Sequence, residues 1–446
     1  MADCPGPRLS LGQRRRARRL AYWNGALWAV GTGLASSPLV MYLAMELGVA
    51  RIGLGISLIK AAPHVAGSLR LAAPALIGRL ADRKRFCLAS YLFAAVLLAA
   101  MFLSALPAWT LAPSHTLACV VLLWCGYHVS EYLGAVALWS WLADLVPQPV
   151  RGRFLGRRER WSVTGQALAM LGAALFGWVW AEHRPEAVWA GYAIPGLLGC
   201  LVLGGSIVPL MFMVPAASPT RSSPSQTVRS ILRPLGDPGF RRYIAFGCWF
   251  SFFNGLIQSA QEIFPRQILG IRLPLRLGLQ MGMRIGQLAL SPAYGRWADR
   301  AGNRTVLGAS VPVIASSTLF FCVATPAAWY WAIGAWVAWI AYAGVNVAQP
   351  NLMLQLAPAA ARPAYVAAYQ TATGLCVAAA MIVGGVAFDW LYGRFGADAL
   401  LLANAWWNID LFQAIFLFGF VTRTMSLLVL LAVRESCPDD PHESLS

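Results

Sequence analysis

Glu131 and His128 stand three residues apart inside a long apolar run, flanked by Trp124, Tyr127 and Tyr132. On a helix that spacing puts both on one face. An ionisable side chain at the centre of a bilayer costs ~2.5–3.5 kcal/mol on insertion scales, so its retention there calls for a reason. The carboxyl must be neutralised by a proton or by a cation. Candidate cations sit in two other apolar runs: Lys60 and Arg70 in one, Arg284 in the other, close to Gln287. One reading is proton exchange during coupled transport, with His128 assisting Glu131. The other is a structural ion pair that fastens two helices. Arg70 and Arg284 also qualify as anchors for an anionic or zwitterionic solute.

Uncharged polar and aromatic residues recur at helical spacing in further apolar runs. One carries Asn24, Trp28 and Thr32. A second carries Asn254, Gln258 and Gln261, with Glu262 expected near its outer end. A third carries Tyr342, Asn346, Gln349 and Asn351. Such stripes either line a path for a polar solute or serve as interhelical hydrogen bonds. No enzyme pattern accompanies them. G-x-S-x-G, P-loop and HExxH motifs are absent, and the five histidines show no metal-ligand spacing. Neither catalysis, a cofactor nor a metal is expected.

The elements that must position these residues follow from composition. Hydrophobic residues make up 58% and charged residues 12%, against about 25% charged in soluble domains. Twelve apolar runs between residues 20 and 433 are each long enough to cross a ~30 Å hydrocarbon layer. In lipid the backbone must satisfy its own hydrogen bonds, so these runs read as helices. The expected organisation is a basic N-terminus (1–19), a six-helix bundle (20–214), a Ser-, Pro- and Arg-rich linker (215–239), a second six-helix bundle (240–434) and a polar tail (435–446). The net charge of +17 is unevenly spread. Most of the 35 Lys and Arg, Arg423 among them, fall on the side of the N-terminus. Arg51, Arg184, Arg266, Arg272, Arg276 and Arg394 fall on the other. By the positive-inside rule both termini and the linker are cytoplasmic. The basic loops then face anionic lipid headgroups, not nucleic acid. No cleavable signal is expected at the N-terminus. The nine cysteines, an odd number without CxxC, read as packing residues.

The two bundles share a plan. Gly78-Arg79-Leu80-Ala81-Asp82-Arg83 returns about half a chain later as Gly295-Arg296-Trp297-Ala298-Asp299-Arg300, each with a proline upstream, Pro74 and Pro292. Internal repeats in a membrane chain point to a transporter with its substrate between the halves. The glycines allow a close helix approach. Asp82 and Asp299 can cap a neighbouring helix or pair with arginine, a contact that must break when the conformation changes.

With this motif after spans two and eight, six plus six spans and a central linker, the chain resembles the major facilitator superfamily. The second copy matches that family's loop motif at Gly295, Ala298, Asp299, Arg300, Gly302 and Arg304. The first departs, because Lys84 and Arg85 follow Arg83 directly. The resemblance implies an all-α membrane fold and alternating access to a central site lined by spans one, four, seven and ten. It also implies that Gly78, Asp82, Arg83, Gly295, Asp299 and Arg300 form a conformational switch. The expected function is secondary transport of a small solute by a monomer, in a bacterial cytoplasmic membrane, with protons as the coupling ion. The rivals are a non-transporting scaffold with the same fold and an uncoupled facilitator.

Overall fold

The computed structural model describes residues 10–48, 51–69, 82–104, 112–145, 148–215, 233–358, 362–396, 400–403 and 408–433. These are almost entirely helical. Apart from short 3₁₀ turns, the helices of the first half of the sequence are α1 (Leu11–Leu34), α2 (Ser37–Glu46), α3 (Ile52–Ser68), α4 (Arg83–Leu103), α5 (Pro113–Leu145), α6 (Gln148–His183), α7 (Val188–Gly205) and α8 (Ile207–Met211). The second half contributes α9 (Pro238–Leu256), α10 (Gln258–Gln267), α11 (Leu273–Ala301), α12 (Asn303–Val323), α13 (Ile333–Ala338), α14 (Tyr342–Leu356), α15 (Arg362–Phe395) and α16 (Leu411–Leu431). A short antiparallel pair, β1 (Leu400–Ala403) and β2 (Asn408–Asp410), precedes α16.

Polar caps begin several of these helices. Ser10 and Gln13 form a reciprocal capping box at α1, as do Asp410 and Gln413 at α16. Asp237 accepts from Gly239 N and Phe240 N at α9, where Pro238 supplies the fixed φ of a first helical residue. Gly302 separates α11 from α12 at φ +83°, a conformation that favours glycine. Gly302, just beyond the second copy of the motif, therefore makes the turn between the two helices.

Among the described residues, nine segments are long and apolar enough to cross a membrane, and the chain is an all-α multi-pass membrane protein. Of the twelve expected spans, the second, seventh and eighth fall outside those nine. The second is described only as far as residue 69. The seventh breaks at Ile257 into α9 and α10. The eighth, α11, carries Arg276, Arg284, Arg296 and Arg300. These three segments also supply most of the polar cavity described below.

The chain divides into two compact units, Met1–Ala50 with Leu69–Ser223, and Arg51–Ser68 with Pro224–Ser446. In the first, α1 packs on α6 and α7, and α4 on α5 and α7. Its core gathers Trp141, Tyr91, Phe154 and Leu210. In the second, α9 packs on α15 and α16, and α12 on α14 and α16, around Phe240, Tyr243, Phe246, Val311 and Leu352. By sequence order α3 was expected within the bundle at 20–214, yet it clusters with the second unit. The cause is a close α3–α15 contact. A Cβ added at Gly53 would lie 2.7 Å from Phe388 Cδ1 and 2.9 Å from Gly385 O. Asp389 of α15 caps α3, its two oxygens accepting from Gly53 N at 2.8 Å and Leu54 N at 2.9 Å. All seven described cysteines are free.

This contact makes Gly53→Ala an informative change. A methyl there overpacks the crossing, which costs about 1–3 kcal/mol. It outweighs the ~1 kcal/mol that Ala gains over Gly in a helix. At Gly278, which faces open space, only the gain remains. The melting temperature of detergent-purified protein should fall for Gly53→Ala and hold or rise for Gly278→Ala.

Candidate functional site

Within the second unit a cavity of about 330 Å³ opens among α3, α9, α10, α11, α13 and α14. At its centre is Glu262 of α10, 5% exposed. Two cations engage it, one per oxygen. Lys60 Nζ of α3 lies 2.8 Å from Oε1, and Arg276 Nη2 of α11 donates to Oε2 at 2.6 Å. Gln258, one turn away on α10, donates to Oε1 at 3.1 Å. The guanidinium of Arg276 also covers the Trp336 ring, 4.9 Å from its centroid. Charges taken out of water need such geometry, since desolvation costs several kcal/mol per ion and a partner with good hydrogen bonds offsets it.

The remaining wall is polar and largely self-engaged. Arg284 donates to Gln287 Oε1 at 3.3 Å, and Gln287 donates to Trp339 O at 3.0 Å. Tyr342 donates to Asn254 Oδ1 at 3.3 Å. Behind Gln261 and Asn254 lies Arg423 of α16, 0% exposed. It donates to Gln261 Oε1 at 3.2 Å and weakly to Asn254 O at 3.5 Å.

Among the residues singled out from sequence, Lys60, Arg284, Asn254, Gln258, Tyr342 and Asn346 all line this cavity. Three expectations are corrected. Lys60 was a candidate partner for Glu131 but pairs with Glu262. Arg276 was expected in an outside loop but is buried within α11. Arg423 was counted with the cytoplasmic charges but is buried within α16. Glu262, placed near an outer end, is a buried ion-triad member. The signal for Arg276 was available: Arg276, Gln280, Arg284 and Gln287 recur at helical spacing along α11 and all line the cavity.

Asn24 and Trp28 do not reach this cavity. Asn24 is buried in the first unit, donating to Ser206 O at 3.0 Å and accepting from Arg158 at 3.4 Å. It is interhelical glue. Trp28 packs against that unit's core.

Glu131 forms a separate locus on α5. Its side chain is 13% exposed, and His128 Nδ1 lies 3.9 Å away. Both ring nitrogens of His128 are buried without a hydrogen-bond partner. Trp124 and Tyr127 enclose the imidazole at 4.5 and 4.7 Å. Arg70 lies outside the described residues, as does Gly78. Of the switch residues that are described, Asp82 caps its own helix, accepting from Arg85 N at 3.1 Å, and its Oδ2 is 3.2 Å from Arg85 Nε. Arg83 opens α4 half-buried, and Gly295, Asp299 and Arg300 lie in the last two turns of α11, the latter two exposed. Among the described residues, no group of three His, Cys, Asp or Glu is placed to hold a metal.

This arrangement of helices defines the fold. The chain is similar over 95% of its length to the nucleoside transporter NupG, with a TM-score of 0.65, 13% identity and 99% of that chain covered. A bacterial homologue of the human lysosomal transporter Spinster, in an inward-facing and unoccupied conformation, gives 0.59 at 14% identity, covering 95% of this chain and 96% of its own. A D-xylose–proton symporter gives 0.59 at 17%, covering 94% and 97%. No protein-family model and no curated protein matches the sequence. The chain has the major facilitator fold.

The two buried acids should respond differently to neutralisation. Glu262→Gln leaves Lys60 and Arg276 without a counter-charge, a loss of about 3–5 kcal/mol for a broken buried pair. Glu131→Gln removes a carboxylate with no hydrogen-bonded cation among the described residues and should cost under about 1 kcal/mol. Thermal unfolding in detergent should rank wild type and Glu131→Gln together, well above Glu262→Gln.

Proposed function

We propose that this protein is a secondary transporter that moves a small polar solute across a membrane by alternating access. The observation that carries the reading is the cavity around Glu262. A fold of apolar helices retains a polar, charged cavity at considerable desolvation cost, and broken or polar helix segments are where transporters of repeated architecture bind solute. The likeness to transporters of nucleosides and xylose supports the same class. A scaffold with this fold would gain nothing from a hydrated, charged cavity.

Protons are the coupling ion in this proposal, with Glu131 as the exchanging group and His128 as its helper. Both oxygens of Glu262 are held by cations, which suits a fixed charge. Among the described residues Glu131 has only an imidazole within 4 Å, at 3.9 Å, and a proton is its means of neutralisation in this proposal. In this proposal the repeated Asp82 and Asp299 loops act as the conformational switch, and the Arg-rich loops support a cytoplasmic side for both termini and the 215–239 linker in a bacterial inner membrane.

The test is exchange in proteoliposomes. A thermal-shift screen of small polar solutes identifies a ligand, and counterflow of that ligand is then measured with and without an imposed pH gradient. The reading expects saturable counterflow, with accumulation driven by the gradient. Glu131→Gln should retain counterflow and lose at least about tenfold in gradient-driven accumulation. A ligand that binds without exchange would favour the scaffold. Full accumulation by Glu131→Gln would remove Glu131 from coupling.

A further inference from the structure

We infer that the solute bound in the Glu262 cavity is a small organic monoanion, a carboxylate, anchored by Arg284 and by the amide of Gln261. The inference rests on the transporter reading and names its substrate class.

Charge balance comes first. Lys60, Arg276 and Arg284 line the cavity and Arg423 lies directly behind it, whereas Glu262 is the acid in the lining. Glu262 has taken up Lys60 and Arg276. Arg284 and Arg423 have no ion-pair partner within 4 Å among the described residues, and each bonds only to amide or carbonyl oxygens. The field in the cavity is therefore positive, and low-dielectric walls intensify it.

Hydrogen-bond capacity gives the same sign independently. Five side-chain acceptors of the wall are occupied from within: both Glu262 oxygens, Gln287 Oε1, Gln261 Oε1 and Asn254 Oδ1 each receive a protein donor, while the amides of Gln258, Gln280 and Asn346 complete the polar lining. The buried atoms left without a partner here are donors. Gln261 is 3% exposed and lines the cavity, yet its Nε2 is buried with no partner. Arg423 Nε and Nη1 are likewise without partners. Buried donors in native structures are satisfied in the great majority of cases. A ligand that offers acceptors satisfies these buried donors, which an ammonium or a guanidinium does not.

The class of anion follows from how many cations remain. One guanidinium that lines the cavity, Arg284, is left after the triad is formed. Its planar fork matches a single carboxylate in bidentate geometry. Lys60 and Arg276 are already hydrogen-bonded to Glu262, so a phosphate dianion finds a single uncommitted guanidinium fork in the lining, Arg284. Trp339, half-buried in the lining, offers an apolar surface for the rest of such a solute.

The experiment uses purified full-length protein and matched pairs that differ in charge but not in shape: benzoate against benzamide, and lactate against lactamide. Phenyl phosphate, uridine and xylose complete the set. Melting temperature is read as a function of ligand concentration. At least one carboxylate should stabilise the protein while its amide does not. Arg284→Gln should weaken that carboxylate roughly 10- to 100-fold, as expected for loss of a charged hydrogen-bond partner, and Arg284→Lys should recover part of it. Among the described residues Arg284 bonds only to Gln287, and the variant's own melting temperature serves as the check on folding. Stabilisation by uridine or xylose but by no carboxylate overturns the inference and leaves the transporter reading standing. Stabilisation by phenyl phosphate alone overturns the choice of carboxylate. A shift with neither charged nor neutral solutes counts against both.

Discussion

The arrangement of the second unit depends on how a carboxylate is kept inside a helical membrane protein. Glu262 is accommodated because three helices each deliver a group to it: Lys60 from α3, Arg276 from α11 and its own neighbour Gln258 on α10. Neither α9–α10 nor α11 is among the nine described segments apolar enough to cross a membrane, and α3 carries Lys60 within its apolar run. Their polar groups become tolerable only when assembled, since each partner lowers the cost of burying the others. The polar centre and the packing of these segments are thus one constraint.

The α3 helix shows the constraint at work. It meets α15 through Gly53 and Gly385, and Asp389 caps its first turn. That fixes the position and rotation of α3, and with them the reach of Lys60. Backbone packing at one end of the helix sets an electrostatic contact two turns further along. On the other side, Trp336 supports Arg276 from below, so the guanidinium is held by a ring face as well as by the carboxylate.

Much of the fold was legible in the sequence. Apolar runs of span length, the repeated G-R-x-A-D-R motif and the central linker are local patterns, and lipid leaves a chain few ways to satisfy its backbone. Nine of the cavity residues were legible too, because Lys60, Asn254, Gln258, Gln261, Glu262, Arg284, Gln287, Tyr342 and Asn346 are polar residues in apolar surroundings. Their partners were not. Whether a carboxylate meets Lys60 or a histidine depends on helix rotation and crossing, which pairwise spacing within one helix does not encode. Glu131 and Lys60 looked complementary for want of that information. Arg276 was misplaced because a charge near a span's end reads as a loop charge until packing shows it turned inward, whereas Arg423 stands mid-helix in α16 and its place against Gln261 is set by how α16 packs. Asn24 had the right spacing for a lining residue, but a crossing helix, α7, stands over it with Ser206 O as its acceptor.

The most direct test is a double-mutant cycle on the central ion triad. Wild type, Lys60→Met, Glu262→Gln and the combination are unfolded thermally in one detergent, and the coupling is read from the four stabilities. A pair that organises the cavity should show coupling of about 1.5–3 kcal/mol, with the double variant far more stable than the two single losses added together. Additive losses within about 0.5 kcal/mol would mean that Lys60 and Glu262 act independently and would contradict the account.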